Sequence, residues 1–345
     1  MASIHDVARV SGVSISTVSY ALSGKRPVSE ATRARIAKAA KELGYQPNAR
    51  GRMLAGRRTQ LLALTAPLHA ETSAPAHMAF VLAVVTAARR YDYDVILLTE
   101  EEATGGLSRV TSSKLADGIV VLDVAIDDHR VDLIRDLDIP AVLIGVPGNT
   151  AGLVCVDLDF EAAARLAVDQ LADNGHTSLA LLGEPHAVYE RGSNYPRRFR
   201  DALLTHAAAR SVDCIFVESS KNPVDVRAAI DTALAAEPRP TGLVMQCAEP
   251  SQVTTLEHLA ARGVRIPAEL SVISAASTFD TSRFTPPLDV IPLVPAETSD
   301  RAIDLLMTTF SKRHEPVVEL LAPRYFANGS VGPPPARSIP RPHTN

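Results

Sequence analysis

The chain has 345 residues and a formal net charge of −4, with 46% hydrophobic and 21% charged residues. This length predicts two or three folded units, and the composition excludes a largely disordered chain. No apolar run reaches the roughly 18–20 residues of a membrane helix, and no secretory signal opens the sequence. The three cysteines, Cys155, Cys214 and Cys247, are widely spaced. Together with the lack of a secretory signal, this spacing predicts a cytoplasmic protein with reduced thiols.

The charge is divided unevenly along the chain. Residues 1–58 contain eleven Lys or Arg against only Asp6, Glu30 and Glu42, a net charge of +8. The remaining residues carry 24 basic and 36 acidic side chains, a net charge of −12. A basic head on an acidic body indicates a polyanion-binding module joined to a second unit. A merely solvated basic face is the alternative if the head lacks a binding motif.

The basic head begins with a predicted helix and a tight turn. Ser3 and Asp6 form an S-x-x-D capping pattern, which starts a helix over residues 4–10. Gly12 follows, and glycine supplies the positive φ that a tight turn often requires. The chain is therefore expected to reverse between this helix and the next.

Two further helices are predicted in the head. Ser14 caps a helix over residues 15–22, and Ser29 caps another that continues through Leu43. Gly44 then occupies the position that commonly ends a helix. Two short helices around a glycine turn, the second with a polar face, are typical of a helix-turn-helix DNA reader.

Two stretches of the head carry a specific set of short elements. They are IHDVARVSGVSISTVSYALSG at residues 4–24 and VSEATRARIAKAAKELGYQPNARGRMLAG at residues 28–56. The D-V-A, G-V-S, T-V-S and E-L-G-Y-x-P-N elements fall in the register of the LacI/GalR family of transcription regulators, which the head resembles. The resemblance implies an all-α helix-turn-helix domain over residues 1–47 and a hinge helix with linker over residues 48–58.

The resemblance also implies that the second helix enters the major groove of DNA. Ile15, Ser16 and Tyr20 fall on its base-reading positions, and Thr17 and Ser19 on its phosphate side. The candidate DNA-binding residues of this domain are Ser14, Ile15, Ser16, Thr17, Ser19 and Tyr20.

Residues 48–56 match the hinge helix of the family, which enters the minor groove at the operator centre. Leu54 occupies the position of the family's intercalating leucine, where an apolar wedge unstacks a base step and bends the DNA. The alternative is that Leu54 is an ordinary linker residue. The candidate DNA-binding residues of the hinge are Asn48, Arg50, Leu54 and Ala55.

From about residue 60 the sequence alternates between strand and helix patterns. The strands are short and apolar throughout, which is typical of buried parallel sheets. They are predicted at residues 61–66, 95–99, 118–122, 141–145, 179–182, 213–217, 242–246 and 271–275. Helical stripes lie between them, and His176, after the helix-ending Gly175, is interpreted as a cap or surface residue. The pattern predicts a doubly wound α/β body of two lobes.

Three stretches of the body resemble the periplasmic-binding-protein-like effector domain of the same family. They are DLDFEAAARLAVDQLADNGH (157–176), LAARGVRIPAELSVI (259–273) and LAPRYFANGSVG (321–332). The resemblance implies a ligand-binding and dimerisation domain over residues 59–332, with the ligand between two lobes. Lobe 1 is expected at about 59–157 and 288–318, and lobe 2 at about 158–287 and 319–332. The Pro-rich residues 333–345 are predicted to be a disordered tail.

The ligand contacts depart from the family pattern. Tyr195 stands where the family often has a clamping arginine, with Arg191 and Arg197 beside it. These arginines are either ligand contacts or solvated side chains at a helix start. At the position where the family has an Asn-Asp pair, this chain keeps only an acidic residue, Glu249. The family has a later acidic residue that is absent here from residues 274–277. The candidate effector-binding residues are Arg191, Tyr195, Arg197 and Glu249, and the lost polar positions argue against a typical hexose.

Three alternatives to a ligand-responsive repressor are an enzyme, a free solute-binding protein and a transcriptional activator. The sequence lacks G-x-S-x-G, P-loop, H-E-x-x-H and paired Cys-His patterns, so no catalytic residue, metal or cofactor is expected. A solute-binding protein would carry an export signal and no basic head, whereas sequence does not separate activator from repressor. The interpretation is a DNA-binding repressor that binds a pseudo-palindromic operator as a homodimer, or a tetramer. A small-molecule effector, a sugar or related metabolite, releases it.

Overall fold

The computed structural model describes residues 2–23, 26–45, 58–71, 73–99, 104–137, 139–310 and 315–335. The predicted hinge helix and most of the predicted tail lie outside these residues. The described residues form a group of three N-terminal helices and two parallel sheets with their covering helices. No helix within them is long and apolar enough to cross a membrane.

The N-terminal helices are α1 (Ile4–Ser11), α2 (Ile15–Ser23) and α3 (Glu30–Glu42). The predicted capping box is confirmed, because the backbone N–H of Ser3 donates to the Asp6 carboxylate at 2.9 Å and the Ser3 hydroxyl accepts from the Asp6 N–H. The hydrogen bonds that the Ser3 N–H and hydroxyl donate to the Asp6 carboxylate lower the pKa of Asp6 to about 2. Gly12 has a φ of 67°, the left-handed conformation that glycine adopts without strain.

A small apolar core holds these three helices together. Val7, Val18 and Ile36, one from each helix, are almost completely buried, and Leu22 and Leu43 pack around them. Val18 and Leu22 of α2 point into this core, whereas Ile15 and Ser16 on its outer side are exposed.

Eleven strands of the described residues form the two sheets. The strands are β1 (Leu61–Thr65), β2 (Asp94–Leu98), β3 (Gly118–Val121), β4 (Ala141–Ile144), β5 (Val154–Leu158), β6 (Ser178–Pro185), β7 (Asp213–Ser219), β8 (Gly242–Met245), β9 (Ser271–Ser277), β10 (Asp289–Pro292) and β11 (Val317–Leu321). The first sheet has the order β11-β5-β4-β3-β1-β2 and the second the order β10-β9-β8-β6-β7. All pairings between neighbouring strands are parallel.

Helices cover both faces of each sheet. They are α4 (Ala74–Arg89), α5 (Thr104–Ser112), α6 (His129–Asp136), α7 (Phe160–Asp173), α8 (His186–Glu190), α9 (Asn194–Ala209), α10 (Pro223–Leu234), α11 (Glu249–Ala261) and α12 (Pro295–Thr309). In the first lobe α4 and α12 pack on one face and α5 and α6 on the other. In the second lobe α7 and α9 pack on one face and α10 and α11 on the other. The predicted doubly wound body of two lobes is confirmed.

Three strands, β5, β10 and β11, are absent from those predicted by the apolar pattern. The side chains of β11 alternate between exposed and half-buried, and its Val318 and Leu320 face outward at the edge of the sheet. A strand with this pattern lacks the continuous apolar run that marks the central strands. Its pairing with β5 joins residues far apart in the chain, which local sequence does not indicate.

Sheet membership also corrects the predicted lobe boundaries. The chain leaves the first lobe after Leu158, returns to it between Pro292 and Pro295 to form α12 and β11, and leaves it again after Leu321. The predicted boundaries at 287/288 and 318/319 therefore fall too early. The reason is that β10 pairs with β9 of the second sheet, whereas all of β11 pairs with β5 of the first.

His176 is a core residue, so its interpretation as a surface residue is wrong, whereas its backbone N–H does cap α7 by donating to the Leu171 carbonyl at 3.1 Å. The side chain is 1% exposed and lies 2.8 Å from the Thr241 hydroxyl, 2.9 Å from the Ser271 hydroxyl and 2.9 Å from the Gly332 carbonyl. Burial lowers its pKa, which keeps the imidazole neutral at neutral pH. His176 thereby ties the returning C-terminal segment to the second sheet.

Replacing His176 by alanine is expected to destabilise the body. The change leaves a cavity and unpaired hydroxyl and carbonyl partners, at a cost of about 2–3 kcal/mol. The melting temperature of the full chain should fall by about 4–10 °C in thermal unfolding. His186→Ala is the control, because the side chain of His186 is largely exposed, and an equal loss in that variant would contradict the structural role of His176.

Candidate functional site

The outer face of α2 is the candidate surface for reading DNA. Ile15, in the first turn, is 42% exposed although its side chain is apolar, and the neighbouring Ser16 is also exposed. Thr17, Ser19 and Tyr20 are half-buried along the same helix. An exposed β-branched side chain on a polar helix face contributes nothing to the core and suits contact with a thymine methyl group.

Three hydroxyl groups meet at the N-terminus of α2. The Ser14 hydroxyl accepts the backbone N–H of Thr17 at 3.1 Å and lies 2.8 Å from the hydroxyls of Ser16 and Thr17. Ser14 is therefore the predicted N-cap, and it orders the two side chains beside it. A helix N-terminus with hydroxyl donors attracts phosphate, because its free N–H groups and dipole favour negative charge.

Tyr20 lies beside an arginine that the sequence analysis omits. The guanidinium carbon of Arg26 is 5.1 Å from the centroid of the Tyr20 ring, within the range of cation–π attraction. The contact orients the ring and adds a positive charge next to the reading face. No spacing rule indicates this pair, because Arg26 lies beyond the end of α2. The hinge candidates Asn48, Arg50, Leu54 and Ala55 lie outside the described residues and stay predictions.

A cavity of about 270 Å³ lies between the two lobes, at the carboxyl ends of their strands. Asp123 contributes from the first lobe, after β3, and Glu184, Gln246 and Ser277 contribute from the ends of β6, β8 and β9. Ligands of open α/β folds bind at this end of the sheet. The volume is near the lower limit of about 300 Å³ for small-molecule pockets, which suits a ligand of one ring.

The structure brings three of the four predicted cleft residues together. Arg191, Tyr195 and Glu249 line the cavity. Arg197 does not; it lines a separate surface depression, and its guanidinium donates to the Tyr189 carbonyl at 2.6 Å. The prediction of Arg197 as a cleft contact is therefore wrong, because residues two positions apart on α9 point to opposite sides of the helix.

The charged groups of the predicted set already have partners. Arg191 donates to the Asp123 carboxylate at 3.2 Å, an ion pair that joins the second lobe to the first. The Glu249 carboxylate forms an ion pair with Arg283. Backbone contacts cross between the lobes at the same place, since the N–H of Ile126 donates to the Gly192 carbonyl at 2.8 Å. The cleft of this structure is thus bridged along one side.

Two polar side chains of the cavity wall, not predicted from the sequence, have buried atoms without hydrogen-bond partners. The Gln246 side chain is 1% exposed, and neither its carboxamide oxygen nor its nitrogen has a hydrogen bond. Nε2 of His77, on α4, is also buried and unpaired. Such groups cost free energy unless a ligand or water pairs with them. The sequence signal for Gln246 is a polar residue directly after the apolar strand β8.

Glu184 is the third polar group that sequence reasoning misses. Its carboxylate accepts a hydrogen bond from the Tyr195 hydroxyl at 3.0 Å. Burial raises the pKa of Glu184 to about 7, although the Tyr195 hydrogen bond and the charge of Arg191 oppose this shift. Burial likewise raises the pKa of the Tyr195 hydroxyl, so tyrosine is the donor of the pair.

No group of three or more His, Cys, Asp and Glu side chains in the described ranges could hold a metal ion. The three cysteines are unpaired, as expected. Burial raises the pKa of Cys155 and Cys214 to about 12, which keeps them as neutral thiols.

Two family descriptions match the chain. The one described as bacterial regulatory proteins, lacI family, matches residues 3–48, and the one described as periplasmic binding protein-like domain matches residues 168–331. The HTH-type transcriptional repressor PurR of Vibrio campbellii is 28% identical over 343 residues, covering 96% of this chain and 99% of that protein. Catabolite control protein A of Staphylococcus xylosus is 26% identical over 278 residues, covering 80% and 82%.

Solved structures share the whole fold. The lac repressor dimer bound to operator and the anti-inducer ONPF has a TM-score of 0.80 at 20% identity, over 96% of this chain and 99% of that one. The transcriptional regulator CelR in complex with cellobiose has a TM-score of 0.66 at 22% identity, over 96% and 100%. This chain has a helix-turn-helix and a two-lobed α/β body. Together with these matches, the two features show that it belongs to the lacI family of bacterial DNA-binding transcription regulators.

Proposed function

We propose that this protein is a repressor that binds a pseudo-palindromic operator as a homodimer and is released by a small, sugar-like effector in the cleft. The observation that carries the proposal is the presence of unpaired polar atoms, the carboxamide of Gln246 and Nε2 of His77, buried in the cleft of a DNA-binding chain. The relatives named as repressors, and the structures with operator or cellobiose, support it. Operator binding sets its place of action in the cytoplasm.

The head reads one half of the operator. The α2 helix enters the major groove, where Ile15 contacts a thymine methyl and Tyr20 a second base edge. The hydroxyls of Ser14 and Thr17 lie at the helix N-terminus, where the adjacent phosphate binds. The predicted Leu54 wedge bends the operator centre. A head with a net charge of +8 makes this binding strongly dependent on salt.

The exposed face of α4 supports the dimer. Met78, Leu82 and Val85 follow the i, i+4, i+7 spacing of one helix face, and all three are exposed. A row of large apolar side chains open to water indicates an interface. A second copy of the same face buries this row and presents two reading heads to two half-sites.

The effector acts through the two lobes. A ligand in the cavity touches residues of both, including Arg191 on one side and Asp123 on the other. Release from DNA requires the effector to bind the DNA-incompetent arrangement more tightly, because equal affinity for both arrangements shifts nothing.

Selection from a random duplex library with the full chain tests the proposal. An enriched pseudo-palindrome, bound by a dimer and released by a sugar-like ligand, is the expected result. Enrichment of non-palindromic sequences, or of none, would overturn the operator proposal. A transcription assay on the selected operator distinguishes the roles, since increased transcription identifies an activator instead.

Replacing Ile15 or Tyr20 by alanine is expected to change base preference. Each lost readout should reduce discrimination at one outer half-site position by about 1–3 kcal/mol. The measurement is the affinity for a set of single-base operator variants. Val10→Ala is the control, since Val10 is exposed on α1 and not on α2. Uniform weakening across all variants would show that Ile15 and Tyr20 position the head without reading bases.

A further inference from the structure

The charged groups of the cleft wall are not balanced. Three of its carboxylates have an arginine partner: Asp123 with Arg191, Asp157 with Arg198 and Glu249 with Arg283. Arg191 is the one lysine or arginine on the described wall, and its charge is already used by Asp123. The described wall therefore offers no unpaired positive charge to an anionic ligand.

Glu184 is a carboxylate on this wall that forms no ion pair with a lysine or arginine of the described residues, although the charge of Arg191, which pairs with Asp123, acts on it. The hydrogen bond that it accepts comes from the neutral hydroxyl of Tyr195, at 3.0 Å. Its side chain is half-buried and lines the cavity. A carboxylate held away from bulk water without a cation is costly, and a positively charged ligand group removes that cost.

The unpaired carboxamide belongs to Gln246, which lines the same cavity as Glu184. Its backbone N–H donates to the carbonyl of Leu182 at 2.8 Å, so β8 ends next to the last residues of β6, where Glu184 stands. The cavity wall therefore presents the carboxyl group of Glu184 together with the neutral donor and acceptor of Gln246. Phe80 and Phe279 also line the cavity, and aromatic rings attract cations.

We propose that the effector is a ring-sized molecule with a protonated amine that pairs with Glu184 and neutral polar groups that pair with Gln246. Within the sugar-like class this is an amino sugar. The inference rests on the proposed function, because it takes the cleft as the effector site. Sugar phosphates and sugar acids are disfavoured, since they would meet Glu184 with no free cation on the wall.

Calorimetry of the full chain tests the charge of the ligand. The probes are glucosamine, galactosamine and mannosamine, each against its neutral hexose, with glucose 6-phosphate as the anion. At least one amine should bind about thirtyfold or more tightly than its hexose. Glu184→Gln should remove that advantage and change the affinity for the hexose by less than about threefold. Glu190→Gln is the matched control, because Glu190 is exposed and does not line the cavity.

The outcomes separate the ligand class from the proposed function. A hexose or the phosphate binding as tightly as the amines, or no binding of any amine, would overturn the ligand class. That result leaves the repressor proposal in place if another ligand releases the operator. An amine that binds through Glu184 without releasing the operator supports the ligand class and contradicts the release mechanism. The amine–hexose comparison in the unmodified chain decides the point even if Glu184→Gln does not fold.

Discussion

A chain that lacks residues 1–58 is expected to lose operator binding completely while its body stays folded. The deletion removes α2 and a net charge of +8, and it leaves a body with a net charge of −12 that repels DNA. The apolar core of the head contains no residue of the body, so the two lobes keep their own cores. Fluorescence anisotropy with the selected operator measures the loss, and thermal unfolding measures the body.

The full chain at several salt concentrations is the control for this deletion. Its log affinity should fall linearly with log salt, by about 0.9 for each phosphate neutralised. The truncated chain should also keep the effector affinity of the full chain, because the cleft lies entirely in the body. Specific operator affinity in the truncated chain would show that the head is not the DNA reader.

Replacing Leu82 by glutamate is expected to separate the dimer and to lower operator affinity by about a hundredfold or more. Leu82 is 62% exposed in the middle of the apolar row on α4. Two carboxylates brought into that interface would lose hydration without gaining a partner, at a cost of about 3 kcal/mol or more. A single head then reads only one half-site, which removes the contribution of the second.

Val224→Glu is the matched control for this substitution. Val224 is 64% exposed on α10 of the second lobe, so it receives the same charge on a different apolar surface position. Analytical ultracentrifugation should show a monomer for Leu82→Glu and a dimer for Val224→Glu. A dimer in both variants would mean that the α4 face is not the interface, and a monomer only in Val224→Glu would move the interface to α10.

The architecture of the head is predictable from sequence because short-range contacts determine it. Ser3 and Asp6 are three residues apart, Ser14 and Thr17 are also three apart, and Gly12 acts on its own backbone. Helix caps and left-handed turns depend on such neighbours, and here they agree with the apolar pattern. The prediction of α2 as the exposed second helix is therefore independent of the body.

The central strands of the body are predictable for a similar reason, since continuous apolar runs mark strands buried on both faces. Edge strands, and the points where the chain crosses between lobes, are not predictable from local sequence. The edge strand β11 is exposed on alternate residues, and its sheet is known only from its pairing with the distant β5. Whether residues 289–292 belong to the first or second lobe is likewise decided by pairing with β9.

By itself the sequence determined the family of the chain, its helix-turn-helix and the position of Arg191, Tyr195 and Glu249 near a cleft. Only the tertiary structure decided which side chains share that cleft. In the structure Arg197 points away from the cavity, because of its position on the turn of α9. Glu184 and Gln246, which were not predicted, line the cavity. The physical reason is that a cleft is assembled from strand ends far apart in the chain. The charge balance of its wall is set by partners that no local pattern joins.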